Sequence, residues 1–391
     1  MRAPAFLTVL VMAGSLCGNA APAPTAAVAT DLPAAETAQP AATTAVPTAA
    51  PATQATTGPA LAGVAPTLAG CQVFPADNIW NTPVEALPVH ASSDAYVETI
   101  GLDANVHADF GSGEWDGGPI GIPFVVVPGN QAKVPVAFYW DDESDPGGYP
   151  VPANPPIEGG SGSDGDRHIL MLDSEACVLY ELYHAYPEAG DAWSALSGAI
   201  YDLDSNALRP DTWTSADAAG LPILPGLVLY DEVMSGEITH ALRFTAPETL
   251  SGYVWPARHE ASDLTEPQYP PLGLRFRLRA DFDVAGYSAP IQVILRALKK
   301  YGLILADNGS SWYISGAPDE RWDNDMLHEL DDVLGEDFEA VDSAGLMLDY
   351  DSGQVKPPIV FTNFLYLPAL NRSGSLAPAG WLPNGSPRQS R

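Results

Sequence analysis

Basic residues are scarce in this sequence. Lysine and arginine together number 17 against 49 aspartates and glutamates, which gives a formal net charge of −32 at pH 7. Such a chain repels polyphosphate backbones and anionic lipid surfaces, so neither nucleic acid nor a membrane is expected as a partner. The many carboxylates leave Ca²⁺ as a candidate ligand. However, "DLDSNA", which begins like a calcium loop, continues without the required glycine and final acid, and no other cofactor is expected.

Long apolar runs are also lacking. The stretch "FLTVLVMAG" is too short to span a bilayer as a helix, so no membrane insertion is expected. It follows Arg2 and precedes the small residues "GNA", a pattern typical of a secretory signal. We therefore predict that residues 1–20 are a signal peptide and that the protein is secreted.

Cysteine is rare, and only Cys71 and Cys177 remain after residue 20. Two cysteines in an exported chain most simply form one disulfide, which is the pairing we predict. Residues 21–70 are almost wholly Ala, Pro and Thr, which have little to bury, so they are expected to be a disordered linker. Residues 71–391 contain the Trp residues and are predicted to be a single β-rich globular domain, present as a monomer.

Several catalytic signatures are missing. The sequence contains no G-x-S-x-G elbow, no H-E-x-x-H, no P-loop, no dinucleotide fingerprint and no Cys/His cluster suited to zinc. These absences argue against serine hydrolases, zinc proteases and nucleotide-dependent enzymes. No metal site is predicted.

Strand patterns dominate what is present. "IPFVVVP" and "VPVAFYW" are predicted as two strands of a meander, and "HILMLD" with "CVLYELYHAY" as a hairpin. The pattern continues in "SGAIYDL", "HALRFTA", "YVWPARH" and "LGLRFRLRADFD", and "LILADNG" with "SWYISG" are predicted as a strand pair. Helical spacing is confined mainly to "PIQVILRALKKYG" and to "WDNDMLHELDDVLG". A doubly wound sheet would need more helices, so we predict a mainly β fold (α+β), an antiparallel β-sandwich-like single domain with a few peripheral helices.

The segment "SGSDGDRHILMLD" places Asp166, Arg167 and His168 at the start of a strand. Period-two alternation in the next strand puts Glu181 and Tyr183 on one face. Carboxylates, an imidazole and a phenol near one sheet surface are the components of an acid–base site, and burial of Glu181 would raise its pKa. The alternative is a solvated Glu181 and a His168 that binds only a loop carbonyl.

Two further segments combine indoles with ionisable groups. "YVWPARHEAS" contains Trp255, Arg258 and His259, and "LADNGSSWYISG" contains Asp307 and Trp312. Indole rings stack on sugar rings, while the polar groups can bind hydroxyls or carboxylates. Asp307 could instead be an ordinary turn residue.

A long segment of low charge, "LDSNALRPDTWTSADAAGLPILPG", is expected to form one wall of a cleft and contains Trp213. Farther along the chain, Asp323 is more simply a helix N-cap than a functional acid.

The segments "GDRHILMLD", "LRPDTWTSADAAGLPILPGL", "WPARHEAS" and "ADNGSSWYISGAPDERWDND" resemble those of a family of secreted bacterial proteins of unknown function. The resemblance covers about residues 71–342. It implies that these stretches belong to one shared architecture, and it carries over no catalytic residue.

We therefore predict a secreted carbohydrate-active enzyme that cleaves a polysaccharide or cell-wall glycan as a glycoside hydrolase with paired carboxylates. The candidate catalytic residues are Asp166, His168, Glu181, His259 and Asp307, with Glu181 as the acid of the hydrolase and Asp166 or Asp307 as its nucleophile or base. The candidate substrate-binding residues are Arg167, Tyr183, Trp213, Trp255, Arg258 and Trp312. The alternatives are a polysaccharide lyase on a uronate polymer, with His168 or Tyr183 as the base and Arg167 or Arg258 on the sugar carboxylate, and a non-catalytic glycan-binding or cell-surface protein.

Overall fold

The computed structural model describes residues 65–357. The predicted signal peptide, residues 21–64 of the predicted linker and residues 358–391 lie outside the described residues. The linker was expected to reach residue 70, whereas a strand already occupies Thr67–Leu68, where it pairs with the segment that carries Cys71. No helix within residues 65–357 is long and apolar enough to cross a membrane.

Strands outnumber helices in this part of the chain. In chain order the strands are β1 Thr67–Leu68, β2 Cys71–Gln72, β3 His107–Asp109, β4 Glu114–Trp115, β5 Gly118–Pro119, β6 Phe124–Val127, β7 Val134–Phe138, β8 Gly148–Tyr149, β9 Ile169–Asp173, β10 Val178–Tyr183, β11 Tyr186–Pro187, β12 Trp193–Ala195, β13 Ser197–Asp202, β14 Leu242–Ala246, β15 Arg275–Leu278, β16 Leu303–Asn308, β17 Tyr313–Ser315 and β18 Phe338–Val341. The α-helices are α1 Ser93–Ile100, α2 Tyr230–Ser235, α3 Ala289–Lys300 and α4 Asn324–Leu327. Short 3₁₀ helices occupy Ile79–Asn81, Leu224–Gly226, His328–Asp332, Gly335–Asp337 and Ala344–Leu346.

A four-stranded sheet with the order β13-β10-β9-β6 lies between two hydrophobic cores. The predicted hairpin of β9 and β10 is confirmed, with Val178 opposite Asp173. Alternate residues point to opposite faces of a strand. Accordingly, Ile169 and Met171 enter the smaller core, while Leu170 enters the larger one. Because both faces of β9 are covered, all five of its residues are buried.

The smaller core is closed by a second four-stranded sheet, with the order β11-β12-β7-β8. The meander predicted for β6 and β7 is wrong, because the two strands belong to different sheets. β6 pairs in parallel with β9, and β7 pairs in parallel with β12. Two sheets that share an apolar interior make this part of the molecule sandwich-like.

The larger core lies against a six-stranded sheet with the order β18-β15-β16-β14-β17-β3. Helix α3 forms as predicted between β15 and β16, and buries Ile291, Ile294, Leu295 and Leu298. The predicted pairing of β16 with β17 is wrong, because β14 lies between them. "YVWPARH" contributes only an isolated bridge between Tyr253 and Leu272 and no strand.

The predicted fold class is confirmed: the described chain is mainly β with few helices. The pairing is less purely antiparallel than expected, since each of the three larger sheets contains a parallel pair. Long connections allow such pairs, and local alternation of residues gives no sign of them.

The predicted disulfide is also confirmed. Cys71 in β2 is bonded to Cys177, which directly precedes β10, with 5.4 Å between the Cα atoms and a sequence separation of 106. The bond therefore ties the first described strands to the central sheet.

Removal of this bond should destabilise the protein, because a closed loop of this length restricts the unfolded chain. The chain-entropy estimate is about 4–5 kcal/mol as an upper value. We expect the Cys71→Ala/Cys177→Ala variant to unfold at a clearly lower urea concentration than the oxidised protein. Equal midpoints under oxidising conditions would show that the bond does not constrain the unfolded state.

Candidate active site

Two cavities share the segment that runs from Glu158 to His168. Cavity A has a volume of about 480 Å³ and cavity B about 840 Å³. Glu158 lines cavity B, and Asp166 lines cavity A. Cavity A is lined by Trp140, Glu143, Asp166, Tyr183, Thr214, Ser215, Ala216, Asp217, Ala218, His259, Ala261, Asp307 and Asn308. Four of the sequence-predicted residues, Asp166, Tyr183, His259 and Asp307, therefore come together in one cavity.

The wall expected from the long low-charge segment is present. Residues 214–218 lie between β13 and α2 in the chain and contribute five consecutive positions to the lining of cavity A. This wall is held by the Ser215 hydroxyl, which donates to the carbonyl of Leu221 at 2.6 Å and accepts from the backbone N–H of Asp217. The segment is therefore self-packed as well as cavity-lining.

His168 is buried behind this wall and carries a positive charge. Its Nδ1 lies 2.5 Å from Oε2 of Glu158, and its Nε2 lies 2.8 Å from the carbonyl oxygen of Ala216. Both partners are acceptors, so both ring nitrogens must bear hydrogen. Burial opposes the charge, but the ionised Glu158 outweighs it and raises the pKa of His168 to about 9. Burial likewise opposes ionisation of Glu158, yet the charge and hydrogen bond of His168 lower its pKa overall.

Arg243 on β14 lies beneath the floor of cavity A and binds two aspartates. Its Nε and Nη2 donate to both oxygens of the buried Asp217 at 2.7 and 2.8 Å. A longer contact of 3.2 Å joins Nη2 to Asp307 at the end of β16. The bidentate pair is the stronger of the two interactions, so Asp307 receives the smaller share of the positive charge.

This unequal sharing, with burial, determines the protonation of Asp307. Burial and the negative charge of Asp217 raise its pKa to about 7, against the opposing effects of Arg243 and the backbone N–H of Asn308. The side chain is 24% exposed, so the carboxyl still reaches the cavity. Asp166, by comparison, is an exposed residue on the same cavity.

Glu181, a candidate acid from the sequence, lies elsewhere. It is fully buried and lines neither cavity. The backbone N–H groups of Ile223 and Leu224 donate to its carboxylate at 2.9–3.0 Å. Burial raises its pKa to about 7, which these hydrogen bonds only partly oppose. Glu181 thus anchors the 3₁₀ helix at Leu224–Gly226 to the central sheet.

His259 and Glu143 form a second ionisable pair on the lining. The Nδ1 of His259 lies 2.9 Å from the carbonyl oxygen of Ala218, which orients the ring, and its Nε2 lies 3.8 Å from Oε2 of Glu143. The Oε2 atom of Glu143 also accepts a hydrogen bond from the backbone N–H of Thr214. Both side chains of the pair are thus held by backbone groups of the 214–218 wall.

An aromatic wall completes cavity A. The rings of Trp140 and Tyr183 are stacked, with centroids 6.3 Å apart and planes inclined by 6°. Trp140 is 37% exposed. Sequence reasoning missed this residue, although "AFYWDD" places three consecutive aromatic residues immediately before two acids.

The two arginines proposed for substrate binding form hydrogen bonds to other residues of the protein instead. The guanidinium of Arg167 donates to the carbonyls of Ser161, Ser163 and Ala185. Arg258 donates to the carbonyl of Tyr350 and to the carboxylate of Asp351, 2.6 Å away. Each side chain is at most 2% exposed, and neither lines cavity A or B.

The proposed indole platforms also lie away from both cavities. Trp312 is fully buried between Phe244 and Phe338, with ring centroids 5.5 and 4.9 Å away. Trp255 is buried and donates to the carbonyl of Ser352. Trp213 is half-buried beside the guanidinium of Arg209. Among the substrate-binding candidates, Tyr183 alone lines a cavity in the described chain.

Glu158, Asp166 and His168 each offer a ligand atom within 4.8 Å of the others, which is a group able in principle to hold a metal ion. Both ring nitrogens of His168 already have oxygen partners, and a metal at Nδ1 would have to displace a proton whose pKa is about 9. The geometry therefore fits an ion pair better than a metal site, and we derive no metal chemistry from it.

The ion pair of Glu158 and His168 should stabilise the fold in a pH-dependent way. The pKa of His168 rises from an ordinary value of 6.5 to about 9, so its contribution is fully present below pH 6.5 and is lost as the pH rises through 9. We expect Glu158→Gln to lower the free energy of unfolding by about 3 kcal/mol at pH 6 and by much less at pH 9.5. Denaturant unfolding at the two pH values measures this, with the exposed Glu85→Gln as the control. An equal loss at both values would contradict a charged His168.

Comparisons of the whole chain with protein-family models, with curated proteins and with solved structures find no match.

Proposed function

We propose that the protein is a secreted glycan hydrolase and that cavity A is its active site. Asp307 would donate a proton to the glycosidic oxygen, and Asp166 would be the second carboxylate. The observation that carries the proposal is the placement of a partly buried carboxyl with a raised pKa in the same cavity as an exposed carboxylate. Paired carboxyl groups in different environments are the usual means of cleaving glycosidic bonds.

The proton on Asp307 is explained by its surroundings. Arg243 is committed to Asp217 through two short hydrogen bonds, so Asp307 gains little compensation for a charge of its own. A general acid works best when its pKa is near the operating pH, so a pKa of about 7 would suit Asp307 to this role in neutral surroundings. Asp166 would then attack the anomeric carbon or activate a water molecule.

Shape and lining also support a sugar as the ligand. A volume of about 480 Å³ lies within the usual range for small-molecule sites, about 300–1,000 Å³. The stacked Trp140 and Tyr183 offer an apolar surface for the face of a sugar ring. The side chains of Thr214 and Asn308 can exchange hydrogen bonds with hydroxyl groups.

The alternative of a uronate lyase is less well supported. The described residues that line cavity A include no Arg or Lys to neutralise a sugar carboxylate. The proposed bases are also unsuitable at neutral pH. His168 is already protonated, and burial, Asp166 and Asp307 raise the pKa of Tyr183.

The proposed location outside the cytoplasm is supported by two features. The first 20 residues have the pattern of a secretory signal. The bond between Cys71 and Cys177 is of a kind that persists in oxidising compartments. A polysaccharide or cell-wall glycan is the corresponding partner.

The test is to incubate the protein with a panel of neutral, amino and uronic polysaccharides. Two readouts are measured: the release of reducing ends and the absorbance of unsaturated termini. We expect reducing ends without unsaturated termini. Asp166→Asn and Asp307→Asn should each lower the rate by about 10²–10⁴-fold, the usual contribution of a general acid or base. The exposed Asp204→Asn, outside both cavities, is the matched control.

Unsaturated termini would favour the lyase, and glycan binding without cleavage would favour the binding protein. Full activity in either cavity variant would contradict the assignment of cavity A.

A further inference from the structure

Cavity B is the larger of the two cavities and has a strongly acidic lining. Its volume is about 840 Å³, and five carboxylates line it: Asp109, Asp116, Glu158, Asp164 and Asp331. The described lining contains no Arg or Lys, and its only ionisable bases are His107 and His328. An anionic ligand would therefore be repelled.

Two of these five acids have a nearby basic side chain. Glu158 is paired with His168. Asp331 lies 3.0 Å from Nδ1 of His328 and 3.9 Å from Nδ1 of His107.

Asp109 differs from these acids. It ends the edge strand β3, opposite Ser315, and is only partly exposed. Within residues 65–357 its carboxylate has no hydrogen-bond or ion-pair partner, although it faces a cavity. Burial and then the charge of Glu158 raise its pKa, and the charges of Arg243 and His107 oppose this only in part, which leaves a deficit of positive charge. A cation supplied by a ligand would remove the deficit.

An aromatic side chain stands at the same cavity. Trp115, in the β4–β5 ribbon, is 80% exposed and belongs to the lining of cavity B. An indole ring can stack on the face of a sugar and also attracts a nearby ammonium group.

The two cavities are close neighbours. Glu158 on cavity B and Asp166 on cavity A have carboxylate oxygens within 4.8 Å of each other. The two cavities therefore lie on either side of the segment that carries these two acids.

We infer that cavity B is a second sugar subsite that takes a sugar unit with a free amino group, whose ammonium pairs with Asp109 while its ring lies against Trp115. The inference takes its substrate class from the glycan hydrolase proposed above. It narrows that class to polymers that contain de-N-acetylated amino sugars.

Calorimetric titration of the whole protein with the methyl glycosides of glucosamine, N-acetylglucosamine and glucose at pH 6 tests this. These sugars differ only at carbon 2. We expect glucosamine to bind at least about tenfold more tightly than the other two. Asp109→Asn should reduce that preference to about twofold or less, and Trp115→Ala should weaken binding of all three sugars. Asp103→Asn, an exposed acid that lines neither cavity, should leave the preference unchanged.

The titration separates this inference from the proposed function. Asp307→Asn should lower the rate of hydrolysis by about 10²–10⁴-fold and keep the amine preference. If the wild-type protein shows the preference but hydrolyses no glycan, only the proposed hydrolase is overturned. Equal binding of the three sugars by the wild-type protein would overturn the inference, whatever the variants do. A preference that persists in Asp109→Asn would overturn it as well, as would tight Ca²⁺ binding that depends on Asp109 without any sugar preference.

Discussion

The site depends on one constraint: the single positive charge of Arg243 has to serve two aspartates. One buried guanidinium faces two aspartates and satisfies Asp217 with two short hydrogen bonds. The remaining contact, to Asp307, is longer. In a chain with 49 acids and 17 bases, no Arg or Lys is among the described residues that line cavity A. The proton on Asp307 follows from this imbalance, and so does the chemistry that we propose.

The scaffold holds this arrangement through a second charged contact. Glu158 and Ala216 hold the two nitrogens of His168, so the imidazolium joins the segment between the cavities to the wall of cavity A. Beneath them, Glu181 fastens the next turn of the chain to β10. Loops that carry a site are thereby attached to a sheet whose strand β9 is buried on both faces, which limits their movement.

Sequence patterns were informative where the physics is local. Alternation in β9 and β10 predicted the hairpin and placed Glu181 on the face shared with Tyr183, and the two remaining cysteines predicted the disulfide. Local patterns do not specify which distant strands become neighbours, so the parallel pairs were missed.

Local patterns also do not reveal whether a side chain will bind a ligand or will be used within the fold. The indole of Trp312 was expected to bind sugar, but it gains more from burial in the core. Arg167 was expected to grip substrate, yet loop carbonyls take up its donors. Arg243 gave no signal, because "HALRFTA" looks like an ordinary strand. The segment that contains Asp217 was predicted as a cleft wall, but nothing in it indicated the pairing with Arg243.

The most direct test of this account is the titration of Asp307 itself. Aspartate-selective ¹³C labelling followed by NMR leaves Glu181 silent, and comparison with Asp307→Asn assigns the resonance. The account predicts a carboxyl that titrates at about pH 7, because burial and Asp217 outweigh the share of Arg243 that it receives. A midpoint near the ordinary aspartate value of about 4 would show that Arg243 compensates both acids. Asp307 would then hold no proton to donate near neutral pH.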